Sequence, residues 1–405
     1  MAEWVEKSLG EVTSYIAKGI PPQYTDKYSE NVIYVLNQKC NRDYSVSYEQ
    51  ARLHDLSKKK IAEEKMLKSG DVLINSTGEG TAGRVAQLWN IPSQTTVDGH
   101  MIILRPTSEV DTLYYGYAIK AQQFMIESLA EGSTGQTEIN RKRLQEEITI
   151  SYPKDKKKQH SIAKILEEID KKIEVNNQIN RNLSEQMQAI FGSIFYSEME
   201  KENKASLGDY LYIKGRIGWK GLKKEEYLFE SEYRIINGES LTVTGIDWNK
   251  AGYISEERYI ESPEIMLQEG DILISKDGTI GKIGYVNKLD KPTSVASGIF
   301  VVRNLKPEEV STVFIYCLLN SDYFKSFIVS RTEGSVIPHL YQKDFVTLEI
   351  PILSQEQIEL FNSTVVPLFE SFFSNQTENI RLEALRDSLL PKLMSGELDV
   401  SDLNI

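Results

Sequence analysis

Between His160 and Ser197 the apolar residues fall at Ile162, Ile165, Ile169, Ile173, Ile179, Leu183, Met187, Ile190 and Ile194. The steps are three and four, with one wider gap at Asn176. The stretch holds no proline, and Gly192 near its end is its only glycine. Such a seam predicts one long helix with a coiled-coil face, about five heptads and roughly 55 Å long.

The residues before it alternate in a different rhythm. Val12–Ile16 is an apolar-polar segment broken by Pro21 and Pro22. Val32–Leu36 reads as a strand, and Lys58–Lys68 is charged with a helical pattern. A Gly70-Asp71 turn opens the strand Val72–Ser76, the loop Gly78–Gly83 follows, and Arg84–Leu88 returns. Met101–Leu104 is a further strand, Thr112–Leu129 a helix, and Ile148–Tyr152 a last strand stopped by Pro153.

The same order then recurs. Ser8-Leu9-Gly10-Glu11 returns as Ser206-Leu207-Gly208-Asp209, and Gly70-Asp71-Val72-Leu73-Ile74 as Gly270-Asp271-Ile272-Leu273-Ile274. Glu131-Gly132-Ser133 returns as Glu333-Gly334-Ser335, and the exit at Pro153 as that at Pro351. Matches in one order at a constant spacing of about 200 residues define a tandem duplication. The long helix is copied too, as Glu356–Leu393, with Ile358, Phe361, Val365, Leu368, Phe372, Leu382, Leu385, Leu389 and Leu393 along its seam. Both seams weaken at asparagines, Asn176–Asn180 and Asn375–Asn379, and polar seam residues fix register. Two such helices in one chain predict intramolecular antiparallel pairing, favoured over pairing between two copies by effective concentration.

Composition narrows the class. With 405 residues, 40% hydrophobic and 26% charged, the chain is expected to fold into two or three domains with real cores. No stretch is long enough to cross a bilayer or resembles a signal peptide, so a cytoplasmic protein with no membrane partner is expected. Cys40 and Cys317 read as buried thiols, and four histidines without ligand spacing argue against a metal site. The net charge of −12 argues weakly against nucleic acid, but local patches decide binding.

Several places carry candidate chemistry. Gly78–Gly83 matches GxGxxG, yet a strand follows where a dinucleotide site needs a helix, and the second copy breaks the spacing. These are turn glycines. No P-loop, HExxH, GxSxG or Asn-Pro-Pro-aromatic motif is present. The segment Tyr212–Lys224 is basic without an acid and holds Lys214, Arg216, Trp219, Lys220 and Lys223, which reads either as a phosphate-contacting patch or as a solvated loop. Its counterpart Tyr15–Tyr24 keeps only Lys18 among its cations. The hairpin loops Asn75–Arg84 and Ser275–Lys282, with Ser76, Thr77, Arg84, Lys276 and Lys282, either reach into a groove or face solvent. The loops Gly132–Gln136 and Gly334–His339, flanked by Arg141 and Arg331, with Gln136 and His339 at their ends, pose the same choice.

Taken together, the duplicated plan, the Ser-Leu-Gly-acid openings, the Gly-Asp-Val/Ile-Leu-Ile strands, the Gly-Ser loops before Pro exits and the closing Leu385–Leu398 resemble the specificity subunit of type I restriction-modification systems. The resemblance implies an α+β fold. Residues 1–155 would be one target-recognition domain, 156–200 a central spacer helix, 201–353 a second recognition domain, and 354–405 a distal spacer helix and tail, with the two helices packed as an antiparallel coiled coil about a pseudo-two-fold. It implies that each domain reads one half of a bipartite, interrupted double-stranded DNA target. It also implies that two methyltransferase subunits and the restriction subunits are partners, and that the chain is non-catalytic and binds neither S-adenosylmethionine nor ATP. The residues expected to face DNA are those named above. The competing class is a coiled-coil scaffold whose domains bind peptides.

Overall fold

The computed structural model describes residues 3–132, 137–217, 221–332 and 339–400. The chain divides into two compact units. One comprises Met1–Glu174 with Asn379–Ile405, the other Val175–Glu378. The fold is α+β, and the two units share one topology.

In the first unit the central antiparallel sheet runs in the order Thr13–Lys18, Met101–Pro106, Val72–Asn75, Val85–Gln87. A second sheet places Thr95–Val97 parallel to Val32–Leu36, followed by Arg52–Asp55 and Tyr24–Thr25. Trp4–Ser8 pairs antiparallel with Thr149–Pro153 and so ties the start of the domain to the strand just before the long helix. The second unit repeats this. Its central sheet is Leu211–Gly215, Ile299–Asn304, Ile272–Ser275, Ile283–Tyr285. Thr293–Val295 lies parallel to Tyr233–Ile236, and Lys204–Ser206 closes on Glu349–Pro351.

The repeats around Leu9 and Leu207 and around Gly70 and Gly270 turn out to be scaffold. Leu9 and Leu207 are fully buried, and their amides bond the carbonyls of Ile148 and Leu348 at 2.7 and 2.8 Å. Gly70 and Gly270 adopt φ of 91° and 92°, a region that favours glycine. The next residue places a buried carboxylate. Asp71 accepts from Arg105 Nε and Nη2 at 2.8 and 2.9 Å, and Asp271 accepts from Arg303 at 2.7 and 2.8 Å. Each guanidinium also lies over a ring, Tyr15 or Tyr212.

That arginine explains one departure from expectation. Lys58–Lys68 is turns and a single 3-10 turn at Glu63–Lys65, not a helix. The carbonyls a helix would use are taken from outside: Arg105 donates to Glu64 and Met66, and Thr96 Oγ1 to Lys65. Thr112–Leu129 is likewise two helices, Thr112–Ala121 and Gln123–Ser128, which meet at Gln122. Gly78, Gly80 and Gly83 all have positive φ in the turn between antiparallel strands, and no helix opens there.

The long helices span Lys156–Met199 and Gln355–Ser395. Within each unit their segments pair antiparallel. In the first unit Arg386 Nη1 meets Asp170 at 2.9 Å and Lys158 meets Asp399 at 2.8 Å. In the second, Asn176 Nδ2 donates to Glu378, Asn180 Nδ2 to the Phe372 carbonyl, and Gln357 Nε2 to Glu198, at 2.7, 3.1 and 2.6 Å. Asn375 Nδ2 donates to Asn180 Oδ1 at 2.9 Å. The first helix buries the expected seam residues Ile162, Ile173 and Met187, but its buried line departs from the expected seam around Ile179. Ile179 is 42% exposed, whereas Asn176 and Asn180 are buried. Phe191 and Phe195, larger than the isoleucines beside them, take the interior and pack on Phe314. Leu385 is exposed for the same kind of reason, because Arg386 occupies the inner face.

The two domains rest on their helix segments through different chemistry. In the first unit Tyr117 donates to Asp170 Oδ2 at 2.7 Å, and Lys120 Nζ lies 3.8 Å from that carboxylate and 4.0 Å above the Tyr44 ring. Tyr44 and Asp43 form a two-residue turn with φ of 60° and 51°, the type I′ geometry that asparagine and glycine prefer. In the second unit the contact is aromatic, with Tyr285 and Tyr316 against Phe369 and Phe373. Among the described residues no helix is long and apolar enough to cross a membrane, no cluster of metal-ligating side chains occurs, and both cysteines are free and buried.

Two outcomes follow. Asp71→Ala leaves the Arg105 charge buried without its partner, which costs about 3–5 kcal/mol and should appear as a lowered melting temperature. Burial is the main cause that pulls the Lys120 pKa down to about 8 from 10.5. The unfolded chain therefore holds the extra proton between those values, and stability rises with pH across that window, by up to about 3 kcal/mol. Denaturant titrations at pH 7.5 and 10 should show this gain in the wild type and not in Lys120→Met.

Candidate nucleic-acid interface

The central sheets of the two domains end in the same backbone arrangement. The Ser76 amide donates to the His100 carbonyl at 2.8 Å, and the Ile139 amide to the Ser76 carbonyl at 2.8 Å. In the second domain the Lys276 amide donates to Gly298 at 2.9 Å, and the Leu340 amide to Lys276 at 3.1 Å. Ser76, Thr77, His100 and Glu138 therefore occupy the positions of Lys276, Asp277, Gly298 and His339. Strand register adds one more correspondence. Ile102 faces Lys18 where Phe300 faces Gly215.

On this shared scaffold the side chains differ. In the first domain Thr77 Oγ1 and His100 Nδ1 are 2.8 Å apart, and Lys18 forms an ion pair with Glu138. In the second, His339 Nδ1 meets the Asp277 carboxylate. Lys276 Nζ lies 3.5 Å from Asp277 and 5.4 Å from the Phe300 ring centre. Lys214, Arg216 and Lys276, with Glu264, Phe300 and Gln342, line an open cavity of about 350 Å³ beside this cluster. Lys214 and Lys276 over one concavity suit an anionic surface.

The remaining expected residues are placed as follows. The Ser76 side chain is buried. Arg216 is 3% exposed and donates to the Val295 carbonyl at 3.2 Å and to the Ser262 and Ser294 hydroxyls at 3.4 Å. Burial first, and the nearby Arg258 second, lower its pKa. Its counterpart is Gly19, where a Cβ would lie 2.1 Å from the Val97 and Asp98 carbonyls. At this one position the first domain makes a close backbone contact where the second carries an arginine. Arg84 and Lys282 fold back onto the carbonyls of Gly80 and Gly238. Lys223 and Arg141 are exposed. Arg331 is exposed and donates to Thr347 Oγ1 at 2.9 Å. Gln136, Trp219 and Lys220 lie outside the described residues.

The geometry adds His100, Glu138, Asp277, Glu264 and Gln342, which a search for cations passes over. Their one signal in the sequence is position, since His100, Glu138 and Asp277 fall at or beside strand ends in a chain whose two halves can be aligned.

Comparison with known proteins agrees with this architecture. The type I restriction modification DNA specificity domain matches twice, at residues 1–185 and 199–361. The chain is 25% identical over 421 residues to the type I restriction enzyme MjaIX specificity subunit of Methanocaldococcus jannaschii, covering 99% of this chain and 95% of that one. It is 22% identical to the HindI specificity subunit of Haemophilus influenzae, covering 98% and 100%. Its fold is similar to the crystal structure of the type I restriction-modification system S subunit from M. genitalium, with a TM-score of 0.55 at 20% identity, over 99% of this chain and 97% of that one. The duplication, the paired helices and the two matched domains converge: this chain belongs to the type I restriction modification DNA specificity family.

Proposed function

We propose that the chain is the DNA-reading subunit of a type I restriction-modification complex and that it supplies recognition, with catalysis left to its partners. Residues 1–155 and 201–353 act as two recognition domains, each reading one half of a bipartite target in double-stranded DNA. The helices at 156–200 and 354–405 set the distance between the half-sites and carry two methyltransferase subunits, which the restriction subunits join. The observation that carries this reading is the pair of strand-end clusters, built on one backbone plan with different side chains. Two readers of one design that present different donors and acceptors suit an asymmetric, two-part sequence.

Phosphate contacts set position and give affinity its salt dependence. Lys214 and Lys276 are the phosphate-facing cations of the second domain in this reading, and Arg216 is a structural arginine. Replacing Lys214 and Lys276 together with alanine should weaken duplex binding by the chain–methyltransferase complex. It should also flatten the slope of log affinity against log salt by about 1.8, near 0.9 per lost phosphate contact. Arg216→Ala should instead lower the melting temperature, by the equivalent of about 1–3 kcal/mol for broken buried hydrogen bonds. An unchanged slope in the lysine variant removes that patch from the interface.

The helices give a second measurement. A matched heptad inserted after Asn180 and before Asn375 adds roughly 10.5 Å of helix, about three base-pair steps at ~3.4 Å each. Mapping of methylated sites should then show a longer unread spacer between unchanged half-sites. A spacer of the original length counts against the helices as the ruler.

A further inference from the structure

The strand-end clusters contain a feature that phosphate binding does not explain. Each holds a carboxylate, and the two sit at different places on the shared scaffold. Glu138 lies beside Lys18 in the first domain, with 54% of its side chain exposed. Asp277 lies beside Lys276 and His339 in the second, with 43% exposed. A solvent-facing acid is repelled by a phosphate backbone, so beyond its own ion pair an acid in a DNA-facing cluster suits a different kind of partner. In the major groove that partner is an exocyclic amino group, cytosine N4 or adenine N6, which donates a hydrogen bond.

The neighbours fit this role. Both acids stay partly exposed beside their partners, Lys18 for Glu138 and His339 with Lys276 for Asp277. The backbone beneath is fixed. The Ile139 and Leu340 amides, next to Glu138 and His339, bond the carbonyls of Ser76 and Lys276. Thr77 is joined to Glu138 by a backbone bridge. Glu138 thus stands in a strand, and Asp277 directly follows the doubly bonded backbone of Lys276, so both acids sit beside anchored main chain.

Building on the proposed DNA-reading function, we infer that Glu138 and Asp277 are specificity-determining acceptors, one in each domain, each taking a hydrogen bond from the amino group of one base in its own half-site. Because Glu138 occupies the position of His339 while Asp277 occupies that of Thr77, the acceptor is displaced across the scaffold. Each domain therefore selects its amino-bearing base at a different position of its half-site.

The test uses the full chain in complex with its methyltransferase, challenged with duplex libraries randomised one position at a time. Glu138→Ala, which removes the acceptor, should relax discrimination at one position of one half-site by roughly 5- to 150-fold, the range for one good base contact. Asp277→Ala should do the same at one position of the other half-site. The position affected should be one where the wild type prefers cytosine or adenine on one strand. Relaxation of the same half-site by both variants overturns the inference. So does a change in affinity that is uniform over all sequences, including its complete loss, and so does unaltered preference with normal binding. A wild-type complex that selects no bipartite sequence instead sinks the DNA-reading function itself, whatever the variants do.

Discussion

Each domain depends on a buried carboxylate clasped by one guanidinium. Asp71 with Arg105, and Asp271 with Arg303, join the start of the central strand to its neighbour, with the ring of Tyr15 or Tyr212 on the outer strand beneath the guanidinium. The same arginines reach loop carbonyls that would otherwise go without partners. A charge pair removed from water stabilises only when its geometry is good and its remaining donors are used. Here the carboxylate also accepts from a backbone amide, that of Lys68 or Gln268. With register fixed in this way, the far ends of the same strands can carry variable side chains without loss of the fold.

The duplication was legible because scaffold residues recur. Leu9 and Leu207, Gly70 and Gly270, and Asp71 and Asp271 do the same physical work twice. What could not be read locally depends on partners far along the chain. The Lys58–Lys68 segment has a helical charge pattern, but its carbonyls are claimed by Arg105 and Thr96. The phase of the helix seam was misjudged at Ile179 because the choice between isoleucine and asparagine depends on which face Phe191 and Phe195 must bury. In the candidate interface a count of cations selected Arg216, whose charge is spent on Val295 and two serines. The neighbouring acids carry no signal of their own. They stand out only when two backbones are superposed.

The contacts between domain and helix obey different physics in the two units. Around Asp170 the attachment is a network of charges and a phenol, with Lys120 held at a lowered pKa. Such a junction is sensitive to pH and intolerant of partial loss. Around Phe369 and Phe373 it is a cluster of rings, which contributes through buried area and edge-to-face geometry. One topology therefore meets two sets of conditions unequally, the first unit through electrostatics and the second through packing.

The division of the chain also bears on the order of its biosynthesis. The second unit, Val175–Glu378, is one continuous stretch, whereas the first needs Asn379–Ile405. Leu390, Leu393 and Met394 lie in the same core as Leu113, Tyr114 and Ile162. The globular part that leaves the ribosome first is thus completed last. It waits for roughly 200 further residues, about 10–40 s at ordinary synthesis rates, with the Ile162–Leu166 face uncovered. During that interval the nascent chain presents this apolar face uncovered, and the seam asparagines fix register once Phe372, Asn375 and Glu378 have emerged.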